Sequence, residues 1–246
     1  MRKLVLLLAL LSATSLRAQT VFDNKTLPAN HNASSLTFSH TTSSSANRVM
    51  IFYHHGSNSL VSVSTVTYGG TSMTLLNATN NGSNSRMEAW CLLNPATGAN
   101  NVVSTLSGTD TGFSEGVLTF TNANNCSNTA VGTASSTTTV TVTVTSAVGD
   151  LVVDGACSSS SDFKSAGSVP GQTQRYLDNT SNVDSVASTN PGAASVSPSE
   201  PLVTEGGNRV IIGVDIVSAG STASPIMPPT VYGVLLAMFL WRAILI

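Results

Sequence analysis

Between Thr137 and Thr145 the chain reads TTTVTVTVT, with Val140, Val142 and Val144 on one side of an extended backbone and Thr139, Thr141 and Thr143 on the other. A helix repeats its faces every 3.6 residues and cannot sustain that alternation, so the segment predicts a half-buried strand. The same period recurs at Met87, Ala89, Cys91 and Leu93 against Glu88 and Trp90. It recurs at Leu151, Val153, Gly155 and Cys157 with Asp150 and Asp154 outward, and at Val210, Ile212, Val214 and Ile216 with Asp215 outward. Further strands are predicted over 48–54 (RVMIFYH), 60–68, 73–76 and 116–121 (GVLTFT), and more weakly over 171–177 (GQTQRYL).

The breaks between these runs have local causes. Asn94-Pro95 ends the strand that begins at Arg86, because proline has no N–H for a ladder and drives the preceding residue out of helical space. Gly98, Asn100 and Asn101 continue the turn, and 103–106 reads as a return strand, so residues 86–108 predict a hairpin. Tyr68-Gly69-Gly70 and Gly149-Asp150 are turn signals, and the polar stretch 77–85 (NATNNGSNS) reads as an exposed loop tip. About a dozen short strands without an intervening helix predict an all-β fold, an antiparallel β-sandwich of jelly-roll type occupying residues 19–218.

Composition supports one such domain: 246 residues, 41% hydrophobic and 9% charged, with valine and threonine in the ordered segments. The ends differ. Residues 1–18 combine Met-Arg-Lys, the apolar run LVLLLALL and a small residue at Ala18, the pattern of a cleaved secretory signal. Residues 219–230 form a Ser/Thr/Pro spacer before the apolar tail 231–246 (VYGVLLAMFLWRAILI). At 1.5 Å per residue this tail reaches about 24 Å, short for a permanent span, and Arg242 interrupts it. Small residues, a spacer and an apolar end fit lipid attachment at Ser218, Gly220 or Ser221, and equally a bacterial-type sorting or membrane tail. Both ends predict an extracellular protein, anchored at the cell surface or membrane through its tail. Between them six basic residues (Lys25, Arg48, Arg86, Lys164, Arg175, Arg209) face all twelve acidic ones, a net of −6. That balance predicts an acidic surface and excludes nucleic acid as a partner.

Five segments in order, VTYGGTSMT (66–74), RMEAWCLLNPATGANNVVSTLSG (86–108), TVTSAVGDLVVDG (143–155), GQTQR (171–175) and RVIIGVDIV (209–217), resemble a widespread family of secreted β-sandwich modules, mostly bacterial and phage-associated. In that family, segments of the type VTYGG, WYLLNPPTG, SAVGDLVVD and GQTQR recur in this order. The resemblance spans residues 45–218 and implies a fold and an extracellular setting, with no activity attached. Cys91 stands where an aromatic is usual.

Chemistry-bearing patterns are sparse. Cys91 shares a face with Met87 and Leu93 and reads as a buried thiol, which leaves Cys126 and Cys157 as a possible disulfide. His54-His55 lacks any HExxH or GxSxG context, and no cofactor is implied. Asp178, Asn182 and Asp184 offer oxygen ligands for calcium without EF-hand spacing. Six glycosylation sequons are about what this Asn-, Ser- and Thr-rich composition supplies by chance, with Asn77 and Asn81 in the predicted loop the best placed. Trp90, Tyr53, Tyr68 and Tyr176 would stack on sugar rings if exposed, Trp90 foremost. The leading expectation is a secreted, surface-tethered, non-enzymatic module for adhesion, coating or passive binding of a glycan or another surface protein. A glycan-binding module is the alternative. A jelly-roll glycoside hydrolase comes third and needs two carboxylates in one cleft, such as Glu88 and Asp154.

Overall fold

The computed structural model describes residues 19–28, 31–160, 162–165, 169–179 and 183–220. The predicted signal segment, the apolar tail and all but two residues of the spacer lie outside them.

The described residues form strands and no helix: β1 (Val21–Thr26), β2 (His31–Thr42), β3 (Val49–Gly56), β4 (Val63–Tyr68), β5 (Thr71–Ser72), β6 (Thr74–Asn80), β7 (Arg86–Leu93), β8 (Gly98–Thr121), β9 (Ala123–Ser135), β10 (Thr139–Thr141), β11 (Leu151–Ser158), β12 (Thr173–Asp178), β13 (Asp184–Pro191), β14 (Ser199–Pro201) and β15 (Asn208–Ser218). They make an antiparallel β-sandwich. The first sheet runs β5-β4-β8-β3-β7-β6, with β1 and β2 also on β8, and the second runs β12-β13-β11-β15-β9. A short pair, β10 with β14, stands apart. The 24-residue β8 organises the first sheet, since its first half lies between β2 and β4 and its second half between β1 and β3.

Three apolar layers follow from this arrangement. Between the sheets, Val49, Ile51 and Tyr53 of β3, Met87 and Ala89 of β7, and Leu118 and Phe120 of β8 meet Val153 and Val210, Ile212, Val214 and Ile216. Each such side chain contributes about 1.5–3 kcal/mol on burial. On the far side of the first sheet, Met50, Phe52, Trp90, Leu92, Phe113 and Val117 pack against Val63, Val66, Tyr68 and Val102, carried by β4, its approach and the first half of β8. On the far side of the second sheet, Val152, Ala156, Val186 and Ile211 are covered by Val140, Val142, Val144, Phe163, Val196 and Leu202.

The alternating valines of 140–144 therefore face inward as expected, but they lie on a sheet and are not woven into it. Two glycines make room. A Cβ on Gly132 would sit 2.0 Å from the Thr141 carbonyl oxygen, and one on Gly213 would sit 2.5 Å from Val144 Cγ2.

Three expectations are corrected. Residues 86–108 do not form a hairpin: β7 and the start of β8 are joined by the Asn94-Pro95 turn, but β3 lies between the two strands and pairs with β7 and with the far half of β8. All eight residues of β3 are buried, and a strand with two apolar faces takes a central place in a sheet. The stretch 77–85 is not a loop throughout, because β6 runs to Asn80. Asp150, Asp154 and Asp215, expected to face outward, are all buried, the last two beneath the cover of the second sheet.

Candidate functional site

The side chains singled out for ligand binding are inside the protein. Trp90 is 7% exposed, Tyr176 3%, and Tyr68 and Tyr53 fully buried. Trp90 alternates away from the inter-sheet core, as its position predicts, but that second face is covered too. Its indole Nε1 donates to Glu88 Oε2 at 3.2 Å, while the Tyr68 hydroxyl donates to the His40 and Gly98 carbonyls. Tyr176 fits over Gly116, where any Cβ would come within 2.6 Å of its ring. These rings form no shelf for a sugar. Glu88 and Asp154 share no cleft either, since Glu88 lies on the far side of the first sheet and Asp154 on the far side of the second, with the inter-sheet core between them.

The first sheet instead holds a row of buried polar groups across β7, β3 and β8. Glu88 and Glu115 are the direct neighbours of His54 on either side. His54 Nδ1 lies 3.1 Å from Glu115 Oε1, and Ser104 Oγ donates to the other Glu115 oxygen. Glu88 accepts from Arg86 Nε at 2.8 Å and from the Val63 amide at 3.0 Å. Asp110 Oδ1 accepts from Ser57 Oγ at 2.8 Å, and both Asp110 Oδ2 and His54 Nε2 point at Gly56, within 3.0 Å of where a Cβ would stand. Neither atom has a hydrogen-bond partner among the described residues. The row is sealed, for His54, Asp110 and Glu115 have no solvent exposure. It can hold a proton or a charge in place but cannot meet a substrate. Among the described residues no group of three His, Cys, Asp or Glu side chains is arranged to hold a metal ion.

Burial dominates the acid–base behaviour elsewhere. It pulls His55 down to about 3, helped by the neighbouring His54, and His40 down to about 4 against the raising effect of Asp23. It lifts Asp184 to about 6, with Asp162 and Asp178 adding to the rise. Asp178 and Asp184 are thus crowded acids, and Asn182, the third candidate calcium ligand, lies outside the described residues.

One cavity of about 410 Å³ opens at the edge of the sandwich, lined by Thr74, Leu76, Cys91, Leu92, Leu93, Asn125 and Cys126. Its volume is that of a small-ligand site. A bulge in β6 between Leu75 and Asn77 turns Leu76 toward it, the lining Leu93 is itself exposed, and the exposed Leu75 neighbours the site in sequence. Its wall is the Cys91–Cys126 disulfide, Cα–Cα 6.7 Å, which ties β7 of one sheet to β9 of the other. The expected Cys126–Cys157 bond is therefore corrected. Cys126 is opposite Ile216 and Cys157 opposite Val210, six residues or about 20 Å apart along β15 and on opposite sides of it. Cys157 is a buried free thiol whose pKa burial drives far up.

The remaining sites also change character. Asn77 lies within β6 and Asn81 in the turn that follows it, and neither side chain is free: Asn77 Nδ2 donates to Thr129 Oγ1 at 3.0 Å, and Asn81 Nδ2 donates to the Ala134 carbonyl at 2.7 Å. The nitrogens that glycosylation would use tie β6 and the turn after it to β9. Ser218 is a buried member of β15 whose amide donates to Asp150 Oδ1 at 2.8 Å. Gly220 follows it at φ +68°, and Ser221 lies outside the described residues.

The surface is not acidic. Glu88, Asp110, Glu115, Asp150, Asp154, Asp178, Asp184, Glu200 and Asp215 are all buried, which leaves Asp23 half-buried and Asp162 and Glu205 exposed, against exposed Lys25 and Lys164 and half-buried Arg48, Arg86 and Arg175. Serine, threonine and asparagine cover the outside, and the acids serve the interior. Comparison with protein-family models, with curated proteins and with solved structures finds no match for this chain.

Proposed function

We propose that this protein is a secreted, surface-tethered, non-enzymatic β-sandwich module that coats or adheres to a neutral partner, either a glycan or another surface protein. The observation that carries this reading is the partition of its charge, with nine acids sealed inside and a hydroxyl- and amide-rich exterior. His54, Asp110 and Glu115, the clustered groups that could act as acid or base, are withdrawn from solvent, and among the described residues Lys25 and Lys164 are the exposed cations. Attachment would proceed through hydrogen bonds and the apolar cavity beside the disulfide, where Thr74 and Asn125 supply polar groups among leucines. Glycan recognition, the alternative, moves from Trp90, Tyr68 and Tyr176 to that cavity.

The test is retention of the purified full chain on a panel of polysaccharides and cell envelopes at low and high salt, with released sugars assayed in parallel. Retention that survives high salt without released product is expected, because an uncharged surface has little for ions to screen. Binding that salt abolishes, or turnover of any glycoside, would sink the proposal.

A further inference from the structure

The cover over the second sheet, β10 and β14 with their flanking residues, brings a carboxyl group down onto β11 and β13. Glu200 is the acidic residue of β14, and its partner in β10 is Val140. Its side chain reaches Asp154 and Ser188, which are direct neighbours across β11 and β13. Ser188 Oγ donates to Glu200 Oε1 at 2.6 Å and Gln172 Nε2 to the same oxygen at 2.7 Å. Asp154 is poorly served by comparison, with one bond from Asn190 Nδ2 to Oδ1 at 3.5 Å. Its Oδ2 is buried and receives no hydrogen bond from any donor among the described residues, and the Glu200 carboxyl is held beside it by Ser188, the direct cross-strand neighbour of Asp154. Two ionised carboxylates offer only lone pairs and repel, so this contact holds when one of them carries a proton. The two donors aimed at Glu200 favour it as the anion and leave the proton on Asp154.

We propose that Asp154 and Glu200 share a proton that latches the β10–β14 cover onto the second sheet, and that rising pH releases the latch. The idea is independent of the binding role above. Burial, then the Glu200 charge, holds the Asp154 carboxyl well above the usual carboxylate range, and burial raises Glu200 against its donors. With the cover lifted, both acids meet water and titrate near about 4. Between that value and the raised one, the closed form binds one more proton than the open form. Closure is then fully favoured below about pH 4 and weakens about tenfold per pH unit above it. The other ionisable groups are few. Asp184 and Arg209 stand toward one end of this face and Asp150 and Asp215 toward the other, while Tyr53, Tyr176 and Cys157 lie on its inner side. Neither β10 nor β14 carries a second one, and Asp162, Lys164 and Glu205 belong to the adjoining loops.

Hydrogen exchange of the full chain, corrected for intrinsic base catalysis, tests the latch. Protection over 139–145 and 196–202 should fall about tenfold per pH unit above the ordinary carboxyl range, with β11 and β15 unchanged. In Asp154→Asn the amide donates to Glu200 at every pH, so the slope should vanish. Glu200→Gln provides the reciprocal variant should the first fail to fold. Flat protection of the cover in the wild type, or a wild-type slope surviving in both variants, would overturn the proposal.

Discussion

The two sheets solve the same problem differently. Each has an outer apolar face to hide. The first hides it with its own strands, because β8 is long enough to carry β2 and β4 past the end of β1 and β3 and over Phe52 and Trp90. The second borrows a separate piece, the segment around β10 and β14, which touches the sheet through valines, Leu202 and the Asp154–Glu200 pair. A cover made of ladder hydrogen bonds opens only when the sheet does. An applied cover can lift while the sandwich stays folded, so cooperative stability should concentrate in the first sheet and local opening in the second.

Breaking the first sheet should cost most. Glu115→Ala leaves His54 and Ser104 without their buried partner and should lower unfolding stability by about 3–5 kcal/mol in denaturant titrations, with all regions losing protection together. Cys126→Ser, or reduction of the Cys91–Cys126 bond across its 35-residue separation, should cost about 3–4 kcal/mol and lower the thermal midpoint globally. Gly213→Ala acts on the applied cover, because its new methyl group would press on Val144 and Val142. It should cost about 1–3 kcal/mol and raise exchange at 139–145 while β3 and β7 stay protected.

Opposite pH responses should sharpen the contrast with the smallest effects. His40 and His55, both on strands of the first sheet, have folded pKa values of about 4 and about 3, below the unfolded value of about 6.5. Their contribution is present above that value and is lost as pH falls toward the folded ones, because the unfolded chain takes up protons first. Asp184, raised to about 6, and Asp154, Glu200 and Asp215, all raised by burial, sit on the second sheet or its cover. Their contribution is present below the ordinary carboxyl range and is lost as pH rises. Exchange measured region by region should show the first sheet loosening in acid and the cover of the second toward neutral pH; parallel responses would remove the distinction.

How much of this was legible depends on which quantity the residues encode. Alternation reports a side chain's face, and the faces of 151–157, 210–216 and the valines of 140–144 were readable for that reason. It does not report the lateral neighbour. Nothing local at Arg86–Gly108 announces that β3 will insert between two strands joined by a Pro turn, and nothing at Cys126 indicates that Cys91 waits across the sandwich edge. Trp90 offers a sugar shelf only if exposed, and alternation, which puts it on the second face of its strand, does not say whether that face is covered; large aromatics usually fill core, and this one does. Leu92, on that same face, was the available sign of a second buried side. Asp154 and Asp215 were misread likewise, since a carboxylate in a strand is ordinarily a solvent marker and here meets hydroxyls and another acid under a cover.

The hidden acids also bear on how many such molecules would behave together. Few charges stand at the exterior to pair with ions or with a neighbour's charges, so where two copies touch, hydroxyl and amide groups meet their like. Spread over a surface, the modules would meet through hydrated, hydrogen-bonding faces with few ion pairs between them.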